Sequence, residues 1–291
     1  MKNFRHTQLP VNGVTVNLRH GGNGPPLLLL HGFPQTHLIW RKVATELAQH
    51  YTLVMPDLRG YGDSSMPVGD KDHANYSKRV MAQDMVLVMQ ALGFDAFAVC
   101  GHDRGARVAH RLTLDHPAIV RKLMIIDIAP TRTMYEATDK AFATAYFHWF
   151  MMIQPAPVPE TLIGNSAAFL LKHTLGGWGS NGAAFIDAAA MAEYERCFCR
   201  PEAIHAACED YRAAASIDLE HDRDHDTHKI ACPTHVVWGE HGFVGRLFHP
   251  IENWQEKCAG PVTGKALPAG HFIPEQVPEL LLQEMLGFLA D

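Results

Sequence analysis

Short apolar runs recur along the chain, and each is bounded by turn residues and followed by a helical pattern. The runs cover residues 27–30, 53–55, 97–100, 123–126 and 235–238. Strands buried on both faces are continuously hydrophobic, and their alternation with helical segments is typical of βα units. The pattern therefore predicts a mostly parallel sheet that is flanked by helices.

One helix is delimited by its sequence at both ends. Ser77 is a suitable N-cap, and Gly93 is a suitable C-terminal stop. The apolar residues between them are spaced for one face of a helix: Val80, Met81, Met85, Val88, Met89 and Leu92. We expect this helix to belong to the scaffold.

The amino-acid composition changes in the middle of the chain. From about residue 131 to about residue 226 it is rich in alanine and aromatic residues, and strand patterns nearly vanish. A strand pattern resumes at 233–238. This predicts one core domain formed by residues 1–130 and 227–291, into which a helical cap of residues 131–226 is inserted.

Composition narrows the kinds of partner. The chain has 291 residues, 47% of them hydrophobic and 19% charged, which is enough to bury a full core. The net charge is −6, and the chain has no block of Lys or Arg that would bind nucleic acid or an anionic membrane. A small-molecule partner is therefore expected. No apolar run approaches the roughly 20 residues that span a bilayer, and the N-terminus does not resemble a signal peptide, which predicts a cytoplasmic protein. The spacing of the six cysteines predicts no zinc site.

The apolar run at 97–100 leads directly into Gly101-His-Asp-Arg-Gly105 and then into a helical pattern. A strand, a tight turn and a helix in this order are typical of a nucleophile elbow, with Asp103 at the turn. A carboxylate at that place points out of the sheet at a helix N-terminus, whose dipole favours the ionised form. An aspartate that merely caps a helix would look similar in isolation, but the two glycines beside the strand favour a nucleophile.

The type of nucleophile decides the class of reaction. An aspartate that attacks an sp³ carbon displaces a leaving group and forms an ester, which water must then hydrolyse. His271 follows Gly270, between a predicted last strand and a final helix at 278–289, which is the chain order expected of a catalytic histidine on this kind of sheet. We therefore expect Asp103 to form the ester and His271 to activate the water.

Two acids could orient His271. The common position after the next-to-last strand carries Gly242 instead of an aspartate, with Glu240 close by. Asp127 instead ends the strand pattern at 123–126, one strand after the nucleophile. The orienting acid holds the tautomer of the histidine and stabilises the imidazolium. The sequence favours Asp127 and leaves Glu240 as the rival.

Two further features suggest an oxyanion site and an anionic substrate. His31-Gly-Phe-Pro-Gln35 follows a strand, so the backbone N–H groups of Phe33 and Arg104 are predicted to face an oxyanion. Arg104 and Arg107 begin the nucleophile helix, where each cation opposes the helix dipole by about 0.3–1 kcal/mol. This disfavours a purely structural role and favours binding of a substrate carboxylate. Solvated or internally paired arginines are the alternative.

These motifs together resemble the fluoroacetate dehalogenases of the α/β-hydrolase superfamily, over essentially the whole chain. The resemblance rests on the segments 31–36, 101–107 and 270–272, on Asp127, on the pair His148-Trp149 and on Tyr211. It implies an α/β-hydrolase fold with Asp103 as nucleophile, His271 as base and Asp127 as its partner.

The same resemblance implies roles for the remaining site residues. Arg104 and Arg107 would bind the carboxylate of a haloacetate, and the halide pocket would consist of His148, Trp149 and Tyr211. Fluoroacetate would be converted to glycolate and fluoride without a metal or an organic cofactor. Relatives of this family suggest a homodimer.

Epoxide hydrolases are the alternative, because they share the aspartate nucleophile and the His-Gly-Phe-Pro loop. They typically have tryptophan after the nucleophile, where this chain has Arg104, and two cap tyrosines that protonate the epoxide. Tyr211 is the obvious tyrosine here, with Tyr135, Tyr146 and Tyr194 as candidates for the second. A hydrolase-fold receptor with little turnover is a third hypothesis, which the intact set of catalytic residues disfavours.

Overall fold

A computed structural model describes residues 1 and 3–290, and the strands of this part form one eight-stranded sheet. The strands are β1 (Arg5–Val11), β2 (Val14–Gly22), β3 (Pro26–Leu30), β4 (Thr52–Pro56), β5 (Phe97–His102), β6 (Val120–Ile126), β7 (Thr234–Gly239) and β8 (Val262–Leu267). Their order in the sheet is β1-β2-β4-β3-β5-β6-β7-β8. The pairs β1–β2 and β2–β4 are antiparallel, and every other neighbouring pair is parallel. The predicted mostly parallel sheet is confirmed.

The antiparallel edge of the sheet begins with a hairpin that the sequence analysis did not predict. Asn12 and Gly13 join β1 to β2, with φ values of +46° and +76°. Two positive φ angles in a two-residue loop are what Asn-Gly favours in a hairpin. Most residues of β1 are exposed or half-buried, so this edge strand lacks the apolar run that marks the central strands.

Helices cover both faces of the sheet. Before β6 lie α1 (Ala44–Leu47), α2 (Lys78–Ala91) and α3 (Arg104–Asp115), with 3₁₀ helices at His37–Lys42 and Ala74–Tyr76. After β7 lie α12 (Val244–Leu247), α13 (Pro250–Gln255), α14 (Ile273–Gln276) and α15 (Pro278–Leu289). As the sequence predicts, α2 starts after Ser77, whose Oγ accepts a hydrogen bond from Val80 N at 3.3 Å, and the chain turns at Gly93 with φ +85°.

The regular structure between β6 and β7 is entirely helical. It consists of α4 (Thr131–Glu136), α5 (Lys140–Ala145), α6 (Phe147–Met152), α7 (Val158–Gly164), α8 (Ala167–Leu175), α9 (Ala188–Phe198), α10 (Pro201–Ala215) and α11 (Ile217–Asp224). This is the helical content expected there, while the division of the chain into a core domain and a cap domain stays a prediction. None of the helices within residues 1 and 3–290 has the length and apolarity that crossing a bilayer requires.

Alternate residues of the central strands face two separate hydrophobic layers. Leu28 and Leu30 of β3 pack with α2, α3 and the helices after β6, whereas Leu27 and Leu29 pack on the opposite side with α1 and α15. Full burial of each leucine side chain stabilises the fold by about 1.5–3 kcal/mol. The sheet is thus fixed between two layers, and the carboxyl ends of β3, β5, β6, β7 and β8 lie along one edge, facing the helices inserted after β6.

Candidate active site

The turn between β5 and α3 holds Asp103 in a strained backbone conformation. Its φ is +48° and its ψ is −117°, which costs a residue other than glycine on the order of 1–3 kcal/mol. Glycines on either side allow the tight turn. An added Cβ would lie 2.6 Å from Ala106 Cα at Gly101 and 2.2 Å from His31 O at Gly105. The chain therefore forms a strand–turn–helix elbow, and Asp103 lies at its apex.

The two carboxylate oxygens of Asp103 have different surroundings. Oδ2 accepts a hydrogen bond from the backbone N–H of Phe33 at 2.9 Å, whereas Oδ1 accepts none from the described part of the chain. Burial alone would raise the pKa of Asp103, but the electrostatic effects of His271 and Arg104 outweigh it and hold the pKa below its usual value. The carboxylate is therefore ionised near neutral pH, with Oδ1 free to act as a nucleophile.

His271 is held by Asp127 at the carboxyl ends of β8 and β6. His271 Nδ1 lies 2.6 Å from Asp127 Oδ2, and Asp127 Oδ1 accepts the backbone N–H of Gly239 at 2.8 Å. His271 Nε2 is buried and lacks a hydrogen-bond partner within residues 1 and 3–290. The rival Glu240 is exposed. Gly242, at the common position of the acid, lies beside Asp127, because a Cβ added there would be 3.5 Å from Asp127 Oδ1. The structure thus brings Asp127, and not Glu240, to His271.

Two backbone N–H groups border the Asp103 carboxylate. One belongs to Phe33 in the loop after β3, and the other belongs to Arg104, the first residue of α3. Gly32 lies directly against this turn. A Cβ added there would be 2.7 Å from Asp103 Oδ2 and 2.8 Å from Arg104 N. These are the two donors that the sequence predicts for an oxyanion site.

Arg104 is fully buried and internally paired along one edge. Its Nε donates to Asp210 Oδ2 at 2.9 Å, and its Nη2 donates to Asp210 Oδ1 and to the Asp210 carbonyl, both at 2.8 Å. The guanidinium lies 4.2 Å from the centre of the Tyr211 ring. Arg104 Nη1 has no hydrogen-bond partner in the part of the chain that the structure describes. Only this end of Arg104 is left for a ligand.

Arg107 is also buried, but no carboxylate pairs with it among residues 1 and 3–290. Its Nη1 donates to Thr131 Oγ1 at 2.9 Å and to a backbone carbonyl at 3.2 Å, and its Nη2 contacts Met134 Sδ at 3.2 Å. The guanidinium lies 4.8 Å from the Trp149 ring centre, and Nε is unpartnered within the same residues. Burial and the charge of Arg104 lower the pKa of Arg107 from its usual value. The negative charge of a bound anion would offset both the cost of burying the Arg107 cation and its repulsion by Arg104.

The three residues expected to surround a halide lie together near Asp103. His148 and Trp149 belong to α6 and Tyr211 to α10, and the Tyr211 ring centre is 5.6 Å from that of His148 and 6.2 Å from that of Trp149. Phe33 contacts Tyr211 with its ring centre at 5.5 Å, so the group adjoins the loop beside Asp103.

These side chains are neutral donors. His148 Nδ1 and the Tyr211 hydroxyl are buried without a hydrogen-bond partner in the described residues. Burial lowers the pKa of His148 to about 3 and raises the pKa of Tyr211 well above its usual value. Both groups therefore carry a proton but no net charge near pH 7, and they can donate it in a hydrogen bond.

Sequence reasoning missed two residues of this region, Trp178 and Asp210. Trp178 lies between α8 and α9 with φ +53°, its ring stacks on His148 at 4.6 Å, and its carbonyl accepts the backbone N–H of His271 at 3.0 Å. It also lines a surface cavity of about 790 Å³. The glycines around Trp178 were the available signal, but they indicated only a loop. Asp210 precedes Tyr211 in a helix, where a sequence gives no sign that a carboxylate is buried.

One cluster has the donor types of a metal site. Ligand atoms of Glu160, His205 and Glu209 lie within 4.8 Å of one another in the described part of the chain. Arg212 donates to Glu160 at 2.7 Å and to Glu209 at 2.6 Å. Because Arg212 Nη1 already lies against oxygens of both acids, we assign the cluster to an ion-pair network and not to a metal site.

Comparison with known proteins places the chain in a family. The model of the α/β-hydrolase-fold family matches residues 25–277. A fluoroacetate dehalogenase of a Burkholderia species is 44% identical, with 99% of this chain and 94% of that protein covered. A soluble epoxide hydrolase of a Corynebacterium species is 32% identical over 98% and 97%.

Solved structures agree with this assignment. A Nostoc protein described as an α/β hydrolase superposes with a TM-score of 0.97 at 53% identity, covering 99% of each chain. The match extends through both parts of the sheet and the helices between them, so the fold expected from the sequence is confirmed. The chain is a hydrolase and belongs to the fluoroacetate dehalogenase family of the α/β-hydrolase superfamily.

Proposed function

We propose that this protein hydrolyses haloacetates, fluoroacetate among them, through an ester formed on Asp103. The observation that carries the proposal is Arg107, a buried cation on the nucleophile helix that no carboxylate pairs with among the described residues. Burying a charge costs several kcal/mol unless a well-placed counter-ion is hydrogen-bonded to it, so this site gains from an anionic ligand. The Burkholderia relative, which is 44% identical, is named a fluoroacetate dehalogenase, and fluoroacetate is such an anion.

In the first step, Asp103 Oδ1 attacks the methylene carbon of the bound haloacetate. A carbon–oxygen bond forms as the carbon–halogen bond breaks, and the halogen leaves with the bonding electrons. Oδ2, which already accepts the Phe33 N–H, becomes the carbonyl oxygen of the ester. Unpartnered N–H groups of Arg104 and Arg107 hold the substrate carboxylate during this step.

The departing halide needs hydrogen bonds that strengthen as its charge develops. His148, Trp149 and Tyr211 carry ring N–H, indole N–H and phenol O–H groups around one space. Fluoride concentrates its charge on a small ion and therefore depends on these donors more than chloride does. A neutral His148 suits this role because it offers a donor without competing for the substrate carboxylate.

In the second step, His271 Nε2 takes a proton from water, and the hydroxide attacks Cγ of the Asp103 ester. Asp127 accepts the Nδ1–H bond and stabilises the imidazolium that forms. The charge on the former Oδ2 is stabilised by the N–H groups of Phe33 and Arg104. Collapse of this intermediate breaks the Cγ–Oδ1 bond, and the glycolate oxygen takes the proton back from His271. The second proton of the water stays on Asp103 and is lost to solvent, which restores the carboxylate.

The test compares three substrates with the purified protein. Fluoroacetate and chloroacetate should release halide and yield glycolate, measured by an ion-selective electrode and by chromatography. Styrene oxide should yield no diol. Protein carrying Asp103→Asn serves as the blank. Absence of halide release from both acids by the folded wild-type protein would refute the proposal.

Epoxide hydrolysis is the second candidate, and one observation favours it. The hydroxyl groups of Tyr135 and Tyr211 are both buried and unpartnered within the described residues, so two phenols are available to protonate an epoxide. The Corynebacterium relative is a soluble epoxide hydrolase. A neutral epoxide, however, offers no carboxylate for the unpartnered Nε of Arg107. Diol formation faster than halide release would favour this reading.

A further inference from the structure

Asp210 is a fully buried carboxylate that belongs to no catalytic group so far described. It lies on α10, directly before Tyr211, and accepts hydrogen bonds from Arg104, from the Tyr61 hydroxyl at 2.6 Å and from Lys78 Nζ. Burial alone would raise the pKa of Asp210, but Arg104 and Lys78 outweigh it and hold the pKa far below its usual value. Asp210 is therefore a permanent anion that joins α10 to α2 and α3.

The contact determines which part of Arg104 remains available. The Nε and Nη2 groups both point to Asp210, and Nη2 is further held by the Asp210 carbonyl. A guanidinium is a rigid planar fork, so fixing one edge fixes the direction of the other end. That end, Nη1, is buried and unpartnered in the described residues. Arg107 likewise leaves a single buried nitrogen, Nε, without a partner there.

We infer that Asp210 is a positioning residue, which presents Arg104 Nη1 to the carboxylate of the substrate. Each arginine then donates to the anion from one otherwise unpartnered nitrogen, and neither arginine binds the anion in a bidentate way. The inference rests on the proposed function only in that it requires a small carboxylate as ligand. The same guanidinium also lies 4.2 Å from the centre of the Tyr211 ring, so Arg104 contacts both consecutive residues of α10.

The chain offers a matched control for the charge of Asp210. Asp218 is a second buried acid at the same lysine, with Oδ2 at 3.5 Å from Lys78 Nζ, and it makes no hydrogen bond to Arg104 among residues 1 and 3–290. Asp218→Asn alters the same buried network without touching the guanidinium. Asp210→Asn keeps the shape of the side chain but weakens its hold on Arg104.

The experiment measures binding of acetate by calorimetry and turnover of chloroacetate and chloroacetamide. In Asp210→Asn the dissociation constant of acetate and the KM of chloroacetate should rise about 10- to 100-fold, the range expected when a hydrogen bond to a charged group is lost. The KM of chloroacetamide should change less than threefold. In Asp218→Asn all three should stay within threefold of the wild type.

Equal weakening of acetate in both variants would overturn the inference, as would unchanged or tighter binding in Asp210→Asn. If thermal unfolding shows that Asp210→Asn does not fold, the double variant Lys78→Met/Asp210→Asn replaces it. This variant removes one positive and one negative charge, and the same changes in acetate binding and in KM are expected for it. Chloroacetate turnover in the wild type tests the proposed function separately. A wild type that binds acetate but releases no halide would leave the positioning role standing and remove the proposed activity.

Discussion

Replacing Asp127 by asparagine should stop the reaction after its first half. The carboxylate of Asp127 serves two donors at once, His271 Nδ1 at 2.6 Å and Gly239 N at 2.8 Å. Asparagine has only one acceptor oxygen for them. If that oxygen stays with Gly239, the amide NH₂ faces His271 Nδ1, so the imidazole must carry its proton on Nε2 and can no longer accept one from water.

The opposite orientation of the amide is disfavoured by the same geometry. Its NH₂ would then face the Gly239 N–H in a buried place, and an unsatisfied buried donor costs about 1–3 kcal/mol. The wrong tautomer therefore predominates. In a comparable triad this change lowers turnover by about 10⁴. Alkylation of Asp103 does not require His271, so its rate should change little and the ester should accumulate.

The assay is rapid quenching followed by intact-protein mass spectrometry with chloroacetate. Asp127→Asn should show one carboxymethyl ester per active site, formed at nearly the wild-type rate and lost about 10⁴-fold more slowly. Glu240→Gln is the matched control and should behave like the wild type, because Glu240 is exposed. A larger defect in Glu240→Gln, or equal loss of both half-reactions in Asp127→Asn, would refute the reasoning.

Three other substitutions test the remaining parts of the site. His271→Ala with fluoroacetate should trap a carboxymethyl ester on Asp103, and unmodified protein that has released fluoride would contradict the covalent step. Arg107→Leu should narrow the preference for chloroacetate over chloroacetamide, measured as the ratio of kcat/KM; an unchanged ratio would remove Arg107 from the carboxylate site. Trp149→Phe should slow single-turnover alkylation by fluoroacetate by up to about 10²–10³ and by chloroacetate much less, whereas equal losses would mean that Trp149 only shapes the cavity.

The elements that the sequence predicts well are those whose evidence is local. The apolar runs of β3, β5, β6 and β7, the capped helix α2 and the elbow around Asp103 are each encoded within a few consecutive residues. The Asn12-Gly13 turn had an equally local signal, but β1 lies at an exposed edge and lacks the continuous apolar run used to find strands. Edge strands therefore need to be sought by their turns.

The contacts that the sequence could not predict join distant residues. Arg104 and Asp210 are 106 positions apart, and nothing near Asp210 distinguishes it from a solvated acid on a helix surface. The sequence did favour Asp127 over Glu240, but both follow strands, and only the fold shows which of the two lies at His271. Burial of charge is a property of the assembled structure and has no pattern of its own.

The unequal surroundings of the two Asp103 oxygens determine which oxygen atom enters the product. In the proposed first step, attack comes from Oδ1 because Phe33 holds Oδ2, and a direct displacement reaches the carbon from the side opposite the leaving halogen. The second step breaks a bond at the carbonyl and leaves that carbon untouched. A chiral 2-halopropionate that fits the site would accordingly be converted with inversion, an S acid giving R lactate, and its hydroxyl oxygen would originate from the protein in the first turnover and from solvent afterwards.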